Sequence, residues 1–142
     1  MFNKFFNKKK SKESPEEKNI LIASLLVHAA KMDESYTDIE KKIIKKALIN
    51  LNGISLSQAD DIVTKAEKKE SEANQIVEFT REIKKYSMEY RLKIIEVIWK
   101  IVYSDGIIDS YETNLIRRVC GLVYVSDKDN GIIKNKVKNL LK

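Results

Sequence analysis

Four acidic residues recur in this 142-residue chain at an offset of 72 positions, Asp33 with Asp105 and Glu40 with Glu112. Carboxylates gathered in one place repel one another. They are stable together when they hold a hard divalent cation or when one keeps its proton at a raised pKa. Every donor in the set is an oxygen, so a metal bound here would be Ca²⁺ or Mg²⁺ rather than Zn²⁺. The stretch from Asp105-Gly106 to Glu112 also matches the last eight positions of an EF-hand loop. The third and first loop positions would then be Tyr103 and Ile101, neither of which carries a carboxylate, so a self-contained calcium loop is excluded. What the spacing allows is a site assembled from two half-loops, with Asp33, Glu40, Asp105 and Glu112 as ligands.

The same residues have a second reading. Glu40 stands three positions after Thr37, and Glu112 three after Asp109, the spacing of a capping box at the start of a helix. Asp105-Gly106 equally suits a helix-ending turn with glycine in the left-handed conformation. Metal ligation and helix capping are both open at this point.

Enzymatic chemistry has less to build on. The single histidine, His28, lies within the apolar run Ile20–Ala30 and reads as a core residue with one satisfied hydrogen bond. The single cysteine, Cys120, shares a helical face with Ile116, Val119 and Val123, which makes it a packed thiol without an activating base. One cysteine and one histidine exclude an internal disulfide framework and a Cys/His zinc cluster within one chain. The four glycines are isolated, at 53, 106, 121 and 131, so no phosphate-cradling loop exists. The expectation is a protein that is not an enzyme.

The elements that must position the acids are helices. With one proline and four glycines the chain lacks the turn signals of an all-β protein. Pro15-Glu16-Glu17 after Ser14 marks a first helix start, and Ile20–Ala30 is apolar nearly all round, as in a helix covered on several sides. A second helix is predicted over 38–51, capped by Thr37 and ended by Asn52-Gly53. Further helices are predicted over 57–69, 72–86, 88–103, 110–124 and 127–141. The fifth of the seven repeats the apolar character of the first. The 72-residue shift also lays Leu25, Leu26 and Val27 on Val97, Ile98 and Trp99, and Ile43, Ile44, Ala47 and Leu51 on Leu115, Ile116, Val119 and Val123. Each half reads as a buried helix, an aspartate, a short loop, a capping position, a glutamate and an amphipathic helix.

Charge is concentrated at the ends. The net charge is +6, yet residues 1–12 carry five lysines and no acid, residues 132–142 carry four lysines and no acid, and the rest holds 18 basic and 21 acidic residues. A body with this balance is not that of a specific nucleic-acid binder, whose basic residues gather on one folded face. Residues 1–14 form a basic, flexible tail and residues 15–142 a single domain. The tail mixes Phe2, Phe5 and Phe6 with lysines. Its two readings are a frayed terminus and a weak contact with an anionic membrane. No stretch has the length and apolarity of a signal peptide or a spanning helix, so the expected location is the cytoplasm, with the tail at most peripheral to the inner membrane face.

The motifs Ala29-Ala30-Lys31-Met32-Asp33 with Glu40, and Val102-Tyr103-Ser104-Asp105-Gly106-Ile107-Ile108-Asp109 with Glu112, resemble the TerB-like family. That family includes the tellurite-resistance protein TerB and the amino-terminal domain of a DnaJ-like membrane co-chaperone. The resemblance covers residues 17–126. It implies an all-α, pseudo-twofold-symmetric bundle of about seven helices, and it carries the family's suggested metal positions to Asp33, Glu40, Asp105 and Glu112. Glu34 stands where the first half would have the glycine of the Asp-Gly pair. No J-domain follows, since no His-Pro-Asp occurs and the only proline is Pro15. Two functions follow as expectations. One is a small cytoplasmic domain that binds a divalent cation through its half-loops and acts in stress response, such as tellurite or metal stress. The other is a non-catalytic protein-interaction module, like the co-chaperone's amino-terminal domain, whose acids only cap helices and whose grooves dock a protein partner.

Overall fold

The structure, a computed structural model, describes residues 15–33, 36–104 and 108–140. Among these residues there are seven α-helices and no strand: α1 (Pro15–Ala30), α2 (Asp38–Asn52), α3 (Leu56–Glu72), α4 (Val77–Ile83), α5 (Met88–Tyr103), α6 (Ser110–Leu122) and α7 (Asp127–Leu140). A 3₁₀ turn, Lys31–Asp33, extends α1. No helix of the described residues is long and apolar enough to cross a membrane.

The two helices that are apolar all round form the centre. α1 packs against α2, α3, α4 and α5, and α5 against α1, α2, α6 and α7. The partners repeat by halves: α2 and α3 flank α1 as α6 and α7 flank α5, and α2 touches α3 as α6 touches α7. This is the pseudo-twofold arrangement expected of the duplicated pattern. Leu25, Leu26, Ile94, Ile95 and Ile98 are fully buried at its heart. Burial at that level contributes about 1.5–3 kcal/mol per side chain relative to exposure. Polar groups within this core are satisfied locally. Ser24 Oγ donates back to Ile20 O at 2.7 Å, and the indole of Trp99 donates to Asn130 Oδ1 at 2.8 Å, fastening α7 onto α5.

Helix starts follow capping chemistry. Thr37, Ser55, Ser87 and Asp109 each accept a hydrogen bond from the backbone N–H three residues on. α2 ends on Gly53 at φ 65°, where the absence of a Cβ makes the left-handed turn easy. The proposed cap at Ser14 lies outside the described residues.

Three boundaries depart from the sequence reading. α3 starts one residue early, at Leu56, because Ser55 and Gln58 form a capping box that was not anticipated. The helix predicted over 72–86 is only Val77–Ile83. α3 continues through Glu72, Ala73 turns extended at ψ 146°, and the chain reverses so that Ile76, Phe79 and Ile83 can bury against the bundle. Helical propensity yields here to tertiary packing. α6 stops at Leu122 rather than Tyr124, with Tyr124 itself left-handed at φ 60°. Val125 N–H bonds Cys120 O at 2.9 Å, which makes a Schellman motif with tyrosine in the usual glycine place. Arg91 Nη1 donates to Val123 O at 2.8 Å and holds the turn.

Candidate functional site

Of the four acids singled out, two are fully visible. Glu40 closes a capping box at the start of α2: its Oε1 accepts from Thr37 N–H at 2.8 Å and from the Thr37 hydroxyl at 3.0 Å, while Thr37 Oγ1 accepts from Glu40 N–H at 3.1 Å. Glu112 does the same at the start of α6, accepting from Asp109 N–H at 3.3 Å, with Asp109 Oδ1 accepting from Glu112 N–H at 2.8 Å. Both carboxylates are buried, at 4% and 3% exposure. Gln58, in the corresponding place of the α3 box, is exposed, so capping alone does not require this burial. Asp33 closes the 3₁₀ turn, but its side chain, and all of Asp105, lie outside the described residues. The turn packs against α6, which brings the start of the first half-loop onto the amphipathic helix of the second half. Among the described residues no group of three or more His, Cys, Asp or Glu side chains is arranged to hold a metal ion. The visible pair therefore fits capping, and supplies no metal set by itself.

Sequence reasoning passed over a cluster on α3. Glu70 Oε2 lies 2.9 Å from His28 Nδ1, and Glu70 Oε1 accepts from Lys31 Nζ at 2.8 Å. One turn earlier Glu67 Oε2 is 2.9 Å from Lys41 Nζ. Lys41 also stands 5.3 Å over the ring of Tyr36, whose hydroxyl lies next to Glu67. Burial pulls both glutamates toward protonation. Lys41 and Tyr36 at Glu67, and Lys31 and His28 at Glu70, outweigh it and hold both below the usual carboxylate range. The Tyr36 phenol moves the other way, raised by burial first and then by the neighbouring negative charge of Glu67. The cluster clamps the first half-loop to α3. Its sequence signal, two glutamates three residues apart on a helix, looks like an ordinary solvated face. His28 is thus at the rim of the core, engaged with a carboxylate. Cys120 is buried, its thiol pushed up to about 12 by burial and then by the charge of Asp127. Neither is set up as a nucleophile–base pair.

A second feature is an open groove of about 580 Å³ between α2 and α5, closed at one side by the end of α7. Ile39, Ile43 and Leu51 of α2, Val97 of α5, and Val137 and Leu140 of α7 give it an apolar lining. Ile39 and Leu140 are each 63% exposed. Lys46, Lys93 and Lys100 stand along the groove, with Glu96 between Lys100 at 3.3 Å and Lys136 at 2.6 Å.

No curated protein and no solved structure gives a significant match to the chain. The family model of the tellurite resistance protein TerB matches residues 19–135, which span both halves of the bundle and the capping boxes of Glu40 and Glu112. With the seven-helix, two-half architecture in agreement with it, the chain belongs to the TerB family.

Proposed function

We propose that this TerB-family domain is a non-catalytic protein-interaction module that docks a partner in the α2–α5 groove. The observation that carries the reading is the groove itself: an apolar channel at the junction of the two halves, with two large aliphatic side chains left in water. The acids support it, since Glu40 and Glu112 both act as capping residues. The reading keeps the protein in the cytoplasm, with lysine-rich residues 1–12 as a weak membrane-surface contact and no specific nucleic-acid partner.

A second reading has its own observation. Glu40 and Glu112 are buried at repeat-equivalent positions beside the two half-loops, where a Ca²⁺ or Mg²⁺ ion held with Asp33 and Asp105 would offset the cost of two buried charges. In that case the domain senses or stores a cation, in keeping with a role in tellurite or metal stress.

Thermal unfolding separates the two. Chelator-stripped protein is titrated with Ca²⁺, Mg²⁺, Mn²⁺ and Zn²⁺, with Asp105→Ala and Glu112→Gln in parallel. The interaction reading expects no saturable rise in midpoint, and in Glu112→Gln only a loss of about 0.3–1 kcal/mol from the charge removed at the helix start, the same with and without cation, because glutamine still closes the box as Gln58 does. A saturable rise with one cation, absent in Asp105→Ala, refutes the view that the acids are only caps, because a ligand of the native state alone raises stability by mass action.

A further inference from the structure

A small crevice beside α4 brings a histidine and an arginine together from the two halves. His28 of α1 and Arg118 of α6 both line it, with Glu70 of α3 and the loop that leads into α4. Its volume is about 160 Å³, room for about five water molecules. Ile76 and Phe79, both buried, supply its apolar lining. It shares no lining residue with the α2–α5 groove.

The charges around the crevice do not cancel. Glu70 is already held at both oxygens, by His28 Nδ1 at 2.9 Å and by Lys31 Nζ at 2.8 Å. With its pKa lowered, Glu70 is ionised at neutral pH and can only accept, so His28 Nδ1 carries a proton. The other ring nitrogen, Nε2, makes no hydrogen bond among the described residues. It holds a lone pair in the neutral ring and donates a hydrogen bond in the protonated one. Arg118 is exposed on α6, and among the described residues no carboxylate pairs with it. The loop contributes the uncharged amides of Asn74 and Gln75. Glu72 and Glu78 line a separate cleft with Lys65, Lys68 and Lys69. Lys31 offsets Glu70, which leaves the charge of Arg118, and that of His28 once the ring is protonated. A metal ion at Nε2 would meet the guanidinium of Arg118 rather than a second ligand, since both oxygens of Glu70 are taken.

We infer that this crevice binds one small carboxylate anion, held by the guanidinium of Arg118 and by Nε2–H of protonated His28, with Glu70 fixing the ring. A planar guanidinium matches a carboxylate with two parallel hydrogen bonds. A single negative charge suits the site, whereas a phosphate dianion would bring more negative charge beside Glu70. The volume suits a free acid of a few heavy atoms. Histidine titrates between about pH 5 and 8, and binding the anion favours the protonated ring. Affinity is therefore greatest at the acid end of that range and falls as pH rises through it. The bound acid would bridge α1 to α6 on the α4 side of the bundle, independently of any partner in the α2–α5 groove.

His28 is the only histidine of the chain, so its ring signals can be followed without overlap by NMR in the full-length protein. The probe is acetate, with acetamide as its neutral isostere and chloride as control, all at one ionic strength. The expected result is a saturable shift of the His28 signals with acetate, with a Kd of roughly 1 mM at about pH 5.5, weakened about tenfold at about pH 8. Acetamide and chloride should give no saturable shift. Arg118→Gln should weaken acetate binding about tenfold, and Arg117→Gln, outside the lining, should leave it unchanged. Both arginines are exposed, so circular dichroism should show an unchanged fold in each variant. A shift that does not saturate, equal binding of acetamide, or wild-type affinity in Arg118→Gln overturns the inference. The same acetate affinity at both pH values overturns the part given to His28. Tighter binding of inorganic phosphate than of acetate overturns the choice of a carboxylate.

Discussion

Glu70 is the residue on which the clamp of the first half-loop turns, and Glu70→Gln removes its charge while keeping its shape. The side chain is only 11% exposed, and it meets His28 at 2.9 Å and Lys31 at 2.8 Å. Hydrogen bonds to charged partners contribute about 1.5–3 kcal/mol net, but Lys31 is 38% exposed and solvent screens its share toward the surface value of about 0.2–1 kcal/mol. The amide oxygen of glutamine still accepts from His28. The expected loss at pH 7 is therefore about 1–2 kcal/mol, or roughly 3–8 °C in Tm for a chain of this size. The pH dependence follows from the sign of the shift. Lys31 and His28 overcome the opposing effect of burial and lower the folded pKa of Glu70 below its unfolded value. Its contribution is complete above the unfolded value of about 4.3 and is lost as pH falls through the lower folded value. Wild type and Glu70→Gln should thus differ at pH 7 and converge as pH approaches about 3, in urea or thermal unfolding followed by circular dichroism. A gap that is the same at both pH values, or no gap at pH 7, refutes the claim that charge holds this clamp.

Two further outcomes follow from the helix ends and the core. Tyr124 is left-handed and 65% exposed, so Tyr124→Gly relieves a backbone cost of about 1–2 kcal/mol, part of which returns as unfolded-chain entropy. The net expectation is a gain of up to about 1 kcal/mol in the urea-unfolding free energy, and a lower midpoint would mean that the ring contributes packing that its exposure hides. Cys120 should resist iodoacetamide at pH 8 in the native protein and react only as fast as the chain opens, because its thiol is buried and pushed up to about 12 by burial and then by Asp127. Stoichiometric alkylation within minutes, without unfolding, would contradict that placement.

What could be read from the residues is what depends on neighbours in sequence. The apolar runs of α1 and α5, the caps at Thr37 and Asp109, and the stop at Gly53 each involve groups within about one helical turn, and the structure has them where the pattern places them. The misread boundaries depend on distant partners. α4 is short because Ile76, Phe79 and Ile83 must reach back to the bundle, and α6 ends early where Arg91, some 30 positions upstream, grips the carbonyls of Val123 and Tyr124 just past its end. The candidate site divides in the same way. The capping role of Glu40 and Glu112 was visible in their spacing. Their burial was not, nor were the ion pairs that Glu67 and Glu70 make with Lys41, His28 and Lys31 across the α1–α3 and α2–α3 contacts.

The two halves share a plan and have diverged in what surrounds it. In the first half, Lys31, Tyr36 and Lys41 engage Glu67 and Glu70 of α3. The same positions in the second half are Tyr103, Ile108 and Thr113, with Asn139 at the place of Glu67, so the sequence does not repeat the charged groups of that network. Instead Lys134 and Lys138 of α7 face the start of α6. The first half also has α4 between α1 and α6, whereas in the second α2 packs directly on α5, with a groove flanked by lysines along that contact. The first half is thus fastened shut by its own charges and its own helix. The second leaves lysines and exposed aliphatic surface along the α2–α5 contact, the features on which the interaction reading rests.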